Sequence, residues 1–179
     1  MARNGIKGLM SGGLGYGSAM DTAVESFRQA QAKCGNDTIP GENLSISYQM
    51  FMGSTKEKAT SQAAKYFEEN LKMFAPLRLV RSLSDEKIAA MSDPSLAPTA
   101  GLPTIEQAVA SGGFLCGTPE MIIDTLKKLE SRYPGLERVS VSHPIGTPHN
   151  LILDQLEWFA SDVIPAFNTV KSTDTSCYS

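Results

Sequence analysis

Cysteine is scarce in this sequence and badly placed for metal or disulfide chemistry. Cys34, Cys116 and Cys177 form an odd set with no CxxC spacing, so neither a disulfide framework nor a zinc site is supported and the thiols are read as reduced. Histidine is scarcer still. His143 and His149 have no nearby carboxylate to complete a coordination sphere, and no metal is expected. No apolar run approaches the ~20 residues that cross a bilayer, and the opening Met1-Ala-Arg-Asn-Gly leads to glycines rather than to a signal-peptide core. A cytoplasmic protein without membrane attachment is therefore expected. Basic charge is not in excess: 16 Lys and Arg stand against 19 Asp and Glu, which leaves no electrostatic footprint for nucleic acid. A Gly-x-Ser-x-Gly nucleophile elbow is missing, as is a Lys-Ser/Thr pair behind the glycines, so acyl transfer and P-loop chemistry have no support.

What remains is apolar material for one ordinary core, 41% of 179 residues. Ile6 to Met10 reads as a short strand, followed by the glycine loop Ser11-Gly-Gly-Leu-Gly-Tyr-Gly17 and a helix with Met20, Ala23, Val24, Phe27 and Ala30 on its inner face. Ser18 is expected to cap that helix, Asp21 to complement its dipole and Gly35 to stop it. Leu44 to Met52 alternates apolar and polar residues, the period of a half-buried strand. The spacing predicts a helix over Lys56 to Phe74, with Ala59, Ala63, Ala64, Phe67 and Leu71 inward.

From Ala75 to Gly113 the prolines at 76, 94, 98 and 103 interrupt two short helical pieces, Asp85 to Met91 and Thr104 to Ala110. This segment is expected to be an insertion near a working site. Thr118 then caps a helix with Pro119 at its first position. Val139 to Ser142 is a third strand, and a last helix from Leu151 to Phe167 should bury Ile152, Leu156, Phe159 and Val163. Residues 168–179 are expected to be a mobile tail. Strands separated by helices, with no hairpin signal, indicate an α/β fold with a mostly parallel sheet.

Each chemical motif has a plainer reading beside it. Gly13-x-Gly15-x-Gly17 lacks the dinucleotide spacing, and no acidic residue ends the following strand to hold a ribose; a turn whose glycines let the chain reverse accounts for it better. His143 and His149 flank the loop after the third strand, where the reaction chamber of a barrel-like protein lies. Equally, His149 can simply begin a helix and His143 precede a proline. Cys116 lies before a helix N-terminus that could lower its pKa, but structural packing explains it better.

The succession Gly112-Gly-Phe-Leu-Cys-Gly-Thr-Pro-Glu-Met-Ile-Ile-Asp-Thr-Leu126, Val139-Ser-Val-Ser142, Gly146-Thr-Pro-His149 and Leu156-Glu-Trp-Phe-Ala-Ser-Asp-Val-Ile-Pro-Ala-Phe167 resembles the end of luciferase-like flavin-dependent monooxygenases. Ala2-Arg-Asn-Gly5 with the glycine loop, and the strand ending Gly53-Ser-Thr-Lys-Glu57, are similar to the middle of the same family. The resemblance implies a partial TIM (β/α)8 barrel comprising about the sixth to eighth strand–helix units over residues 1–167, since a full barrel takes about 250 residues. It also implies reduced FMN, or coenzyme F420 as the alternative, acting with O2 on a small organic substrate, and a flavin reductase as electron source. Ser11, Gly12 and Gly13 would lie near the flavin, His143 and His149 would be the catalytic candidates, and Gly146 and Thr147 would line the substrate pocket. A non-catalytic barrel fragment serving as an assembly or ligand-binding module is the other reading. Three parallel strands cannot close, and both margins would expose ladder groups and half of an apolar wall. A homo-oligomer or a complementary N-terminal half is therefore expected.

Overall fold

In the computed structural model, residues 4, 6–15, 17–77, 79, 83–91, 93, 95, 101 and 103–168 are described. The expected tail, with Cys177, lies outside them beyond Asn168, as does part of the expected insertion. The elements in chain order are β1 (Gly8–Ser11), α1 (Ser18–Ala32), β2 (Leu44–Met52), α2 (Lys56–Phe74), α3 (Asp85–Met91), α4 (Ile105–Ala110), β3 (Leu115–Gly117), α5 (Pro119–Arg132), β4 (Arg138–Ser142) and α6 (His149–Trp158). A π turn (Phe159–Val163) and a 3-10 turn (Ile164–Ala166) prolong α6.

Among the described residues, all strand pairing is parallel and all of it passes through β2. Ser45–Ser47 pair with Leu9–Ser11 and also with Arg138–Ser140, so β1 and β4 flank β2 on its two edges. β3 pairs only with the far end of β2, at Met50–Met52. This fourth strand has no counterpart among the three expected ones. Three residues, Leu115, Cys116 and Gly117, all buried, are too few to show an alternation.

Alternation along β2 decides the layering. Leu44, Ile46, Tyr48, Met50 and Met52 are at most 1% exposed and pack with Met20 and Val24 of α1 and with Ile122, Leu126 and Leu129 of α5. Burying each such side chain contributes about 1.5–3 kcal/mol, which makes this layer the main source of stability. Val139 and Val141 join it from β4, in register with Ile46 and Tyr48. An ion pair ties α1 to α5: the Arg132 guanidinium donates to the Asp21 carboxylate, and the Tyr133 hydroxyl donates to Asp21 Oδ1 at 2.7 Å.

The other face of the sheet corrects one expectation. It is not an apolar wall but carries Ser11, Ser45, Ser47, Gln49, Ser140 and Ser142, with Ser11, Ser47 and Ser140 in one row by register; Leu9, 71% exposed, is the apolar exception. The second cluster sits at the carboxyl end of this face, where Phe51 meets Ala59, Ala63, Phe67 and Leu71 of α2, with Ile105, Phe114 and Cys116 behind them. Thus α2, read from sequence as the partner of the second strand in an ordinary unit, stands on the serine side, opposite α1 and α5.

Helix ends follow local chemistry. The Thr55, Thr104 and Thr118 side chains accept from Lys58, Gln107 and Met121 amides, and Thr104 forms a full capping box with Gln107. α1 departs from expectation: Ser18 is its first residue and Gly17, at φ +112°, takes the cap position. In α1, Gln31 rather than Ala30 is buried. In α6, Leu156 is 40% exposed and its neighbour Gln155 is buried instead. The reason is backbone satisfaction. Gln155 Oε1 accepts from Met52 N at 2.6 Å and Gln155 Nε2 donates to Met52 O at 2.9 Å, pairing the end of β2 as another strand would.

Candidate functional site

At the carboxyl ends of β1 and β4, beside the middle of β2 and the C-terminal part of α2, lies a cavity of about 510 Å³. Ser11, Ser47, Gln49 and Ser142 line it from the sheet and Asn70 from α2, while Leu9, Phe74 and Leu79 supply apolar surface. The lining contains no Asp, Glu, His, Lys, Arg or Cys among the described residues. Such a wall binds and orients through hydroxyl and amide groups.

The glycine loop forms one rim. Ser11 Oγ accepts from Gly13 N at 3.3 Å, closing a short 3-10 turn over Gly12–Leu14. Ser11 and Gly13 line the cavity, whereas Gly12 is buried against Tyr48, where an added Cβ would lie 2.2 Å from ring carbons. Gly15, at φ +70°, would place a Cβ 2.5 Å from the Ser111 carbonyl oxygen. These glycines therefore permit close packing as well as chain reversal.

The loop after β4 starts beside the cavity, at Ser142, and then turns away from its lining. Pro144 is buried, and Thr147 Oγ1 donates to Pro144 O at 2.7 Å, with Gly146 at φ +86° completing the turn. Ile145 N donates to Asn70 Oδ1 at 3.3 Å, which ties this turn to α2. His143 does not line the cavity; its neighbour Ser142 does. The His143 Nε2 atom is buried without a hydrogen-bond partner among the described residues, and burial pushes the imidazole pKa below its ordinary value. His149 is exposed and opens α6; neither it nor Gly146 nor Thr147 is in the cavity lining.

Cys116 is buried near Thr60, with Sγ 3.8 Å from the hydroxyl oxygen, and burial pushes its thiol up to about 11. That pKa opposes the reactive thiolate which a helix N-terminus alone would promote.

Of the cavity residues that went unrecognised in the sequence, two carry a signal. Gln49 falls on the polar phase of β2. Asn70 breaks an otherwise apolar stripe, since it shares the buried face of α2 with Ala59, Ala63, Phe67 and Leu71. A polar group on such a stripe is retained where it finds partners. Asn70 finds them in Gln49, through reciprocal amide bonds of 3.0 and 3.3 Å, and in Ile145 N.

No protein-family model matches the sequence, and no curated protein matches it. Solved structures do match in fold. The monooxygenase RslO1 from Streptomyces bottropensis is 16% identical with a TM-score of 0.61, over 93% of this chain and 43% of its own. The oxygenating constituent of 3,6-diketocamphane monooxygenase from the CAM plasmid of Pseudomonas putida, solved in complex with FMN, is 17% identical with a TM-score of 0.61, over 92% and 44%. The coenzyme F420 dependent tetrahydromethanopterin reductase from Methanopyrus kandleri is 17% identical with a TM-score of 0.54, over 83% and 42%. The chain spans less than half the length of each of these proteins, and at such identities the likeness is one of fold.

Proposed function

We propose that the cavity is the flavin and substrate site of a luciferase-like, flavin-dependent monooxygenase, and that this chain provides part of its barrel. The observation that carries the reading is the position and lining of the cavity. It opens at the carboxyl ends of parallel strands, where α/β proteins bind ligands, and presents amide and hydroxyl groups beside apolar surface. The fold shared with a protein solved in complex with FMN supports the same assignment.

The lining suits a flavin, whose ring system has one hydrogen-bonding edge and an apolar body. FMN is the form favoured, with F420 as the alternative. When bound, the flavin supplies the redox chemistry in the oxidation of a small organic substrate by O2. The chain's residues bind and orient. Ser11 and Gly13 border the cofactor with Gly12 packed behind them, and Leu9, Phe74 and Leu79 exclude water from one side. Gly146 and Thr147 shape the substrate side. His143, next to Ser142 of the lining, and His149, where α6 begins, are the groups proposed to move a proton. A flavin reductase is the proposed source of electrons, and a second copy or a complementary N-terminal half the proposed means of covering the free margins of β1 and β4.

Titration with FMN, followed by flavin fluorescence, tests this reading. Saturable quenching at micromolar flavin is the expected result; no saturation in that range rejects flavin binding by the chain alone. The absence of an acid, base or thiol from the described lining favours, as a second reading, a non-catalytic ligand-binding module. That module would bind the ligand yet give no oxidised product when reductase and O2 are added.

A further inference from the structure

The paired amides of Gln49 and Asn70 both line the cavity, and their hydrogen-bonding capacity is only partly spent. A primary amide has two N–H donors and an oxygen with two lone pairs. Gln49 Nε2 donates to Asn70 Oδ1 at 3.0 Å and Asn70 Nδ2 donates to Gln49 Oε1 at 3.3 Å, which closes the two groups into a ring. Ile145 N takes the second lone pair of Asn70 Oδ1, which leaves on that margin only the second N–H of Gln49 Nε2, a donor without a neighbouring acceptor. Along the other margin, one N–H on Asn70 Nδ2 and one lone pair on Gln49 Oε1 have no partner among the described residues. They lie side by side, a donor next to an acceptor, on atoms 3.3 Å apart. Ser142, opposite Gln49 in register, donates its hydroxyl to Tyr48 O at 3.3 Å and bonds to neither amide.

We infer that this margin recognises the cis-amide edge of a cyclic imide or ureide. The ligand's N–H donates to Gln49 Oε1 and its adjacent C=O accepts from Asn70 Nδ2. Two parallel hydrogen bonds fix both the position and the plane of such a group, as single hydroxyls cannot. The inference rests on the reading of this cavity as the ligand site. Its chemistry is carried by the dione ring of a flavin and equally by a substrate that contains an imide or ureide.

The test follows the side-chain amide resonances of Gln49 and Asn70 in the isotope-labelled full chain. The probes are uracil, 1,3-dimethyluracil, lumiflavin and 3-methyllumiflavin. Uracil and lumiflavin are expected to shift both pairs of resonances, and methylation of the ring nitrogen to weaken each by at least tenfold. Asn70→Asp keeps the acceptor for Ile145 N and removes the donor to the ligand's C=O, and should weaken the binding of uracil and lumiflavin by at least tenfold. Retention of the Ile145 amide shift would show that the turn is intact in this variant. If uracil binds as described and lumiflavin does not bind, the imide site stands and the flavin reading falls. If lumiflavin binds while these resonances stay still, or binds equally well when methylated, the imide site is overturned and the flavin reading survives. Resonances unmoved by every probe at millimolar concentration also overturn the imide site.

Discussion

The two faces of β2 are made from alternate residues of one nine-residue strand, yet they do opposite work. Leu44, Ile46, Tyr48, Met50 and Met52 are sealed against α1 and α5, and the fold's stability is concentrated there. Ser45, Ser47 and Gln49 look the other way and are only partly buried. Up to Gln49 the sheet needs no apolar cover on that side; beyond it, Phe51 begins the cluster under α2. One strand thus separates what holds the molecule together from what is free to meet a ligand.

The most direct way to break this comparison is to truncate adjacent residues. Ile46→Ala should cost about 2–5 kcal/mol, because a fully buried side chain leaves a cavity. Ser47→Ala, one residue along, should stay within about 0.5 kcal/mol. Denaturant midpoints of the two variants decide the matter, and equal losses would refute the division of labour. Gln155→Leu is the next largest effect. It removes both hydrogen bonds that close the end of β2 at Met52 and should cost about 1–3 kcal/mol, since the buried backbone groups lose their partners; an unchanged midpoint would show that water replaces the amide.

The smallest effect sharpens the apolar side. Hydrogen bonds from Arg132 and Tyr133 hold the Asp21 carboxyl at about 2, down from 3.8. Its contribution is therefore complete above pH 3.8 and is lost as pH falls toward 2. Both members of the ion pair are substantially exposed, so screening keeps the contribution small. Asp21→Asn should flatten the acid limb of a stability profile over that window and leave the neutral region little changed. A profile identical to the parent's would show that the pair contributes nothing.

How much of this was legible in the sequence depended on the length and phase of each signal. β2 and α2 have the boundaries that the pattern predicts, because nine alternating residues and a Thr55-capped nineteen-residue stripe each specify one period. Thr118 and Pro119 mark the start of α5 for the same local reasons. β3 was not legible, since its three residues are buried on both faces and its pairing depends on β2 being there first. The placement of α2 on the serine side was hidden too, because an apolar stripe states that a face is covered and not which layer covers it. Of the site, Ser11 and Gly13, expected near a flavin, lie in the cavity lining, whereas Gln49 and Asn70 are recognisable only once strand and helix meet. The offset from Leu156 to Gln155 has a comparable origin, a long-range demand from the Met52 backbone that no local pattern encodes.

Since β1, β3 and β4 each pair with β2 and with no other strand among the described residues, the outer strands can fray one at a time while β2 cannot be freed until its neighbours on both edges have gone. Each β2 amide bonds to one edge only, so those facing β1 are released when β1 frays and those facing β4 when β4 frays, and their protection measures the two margins separately.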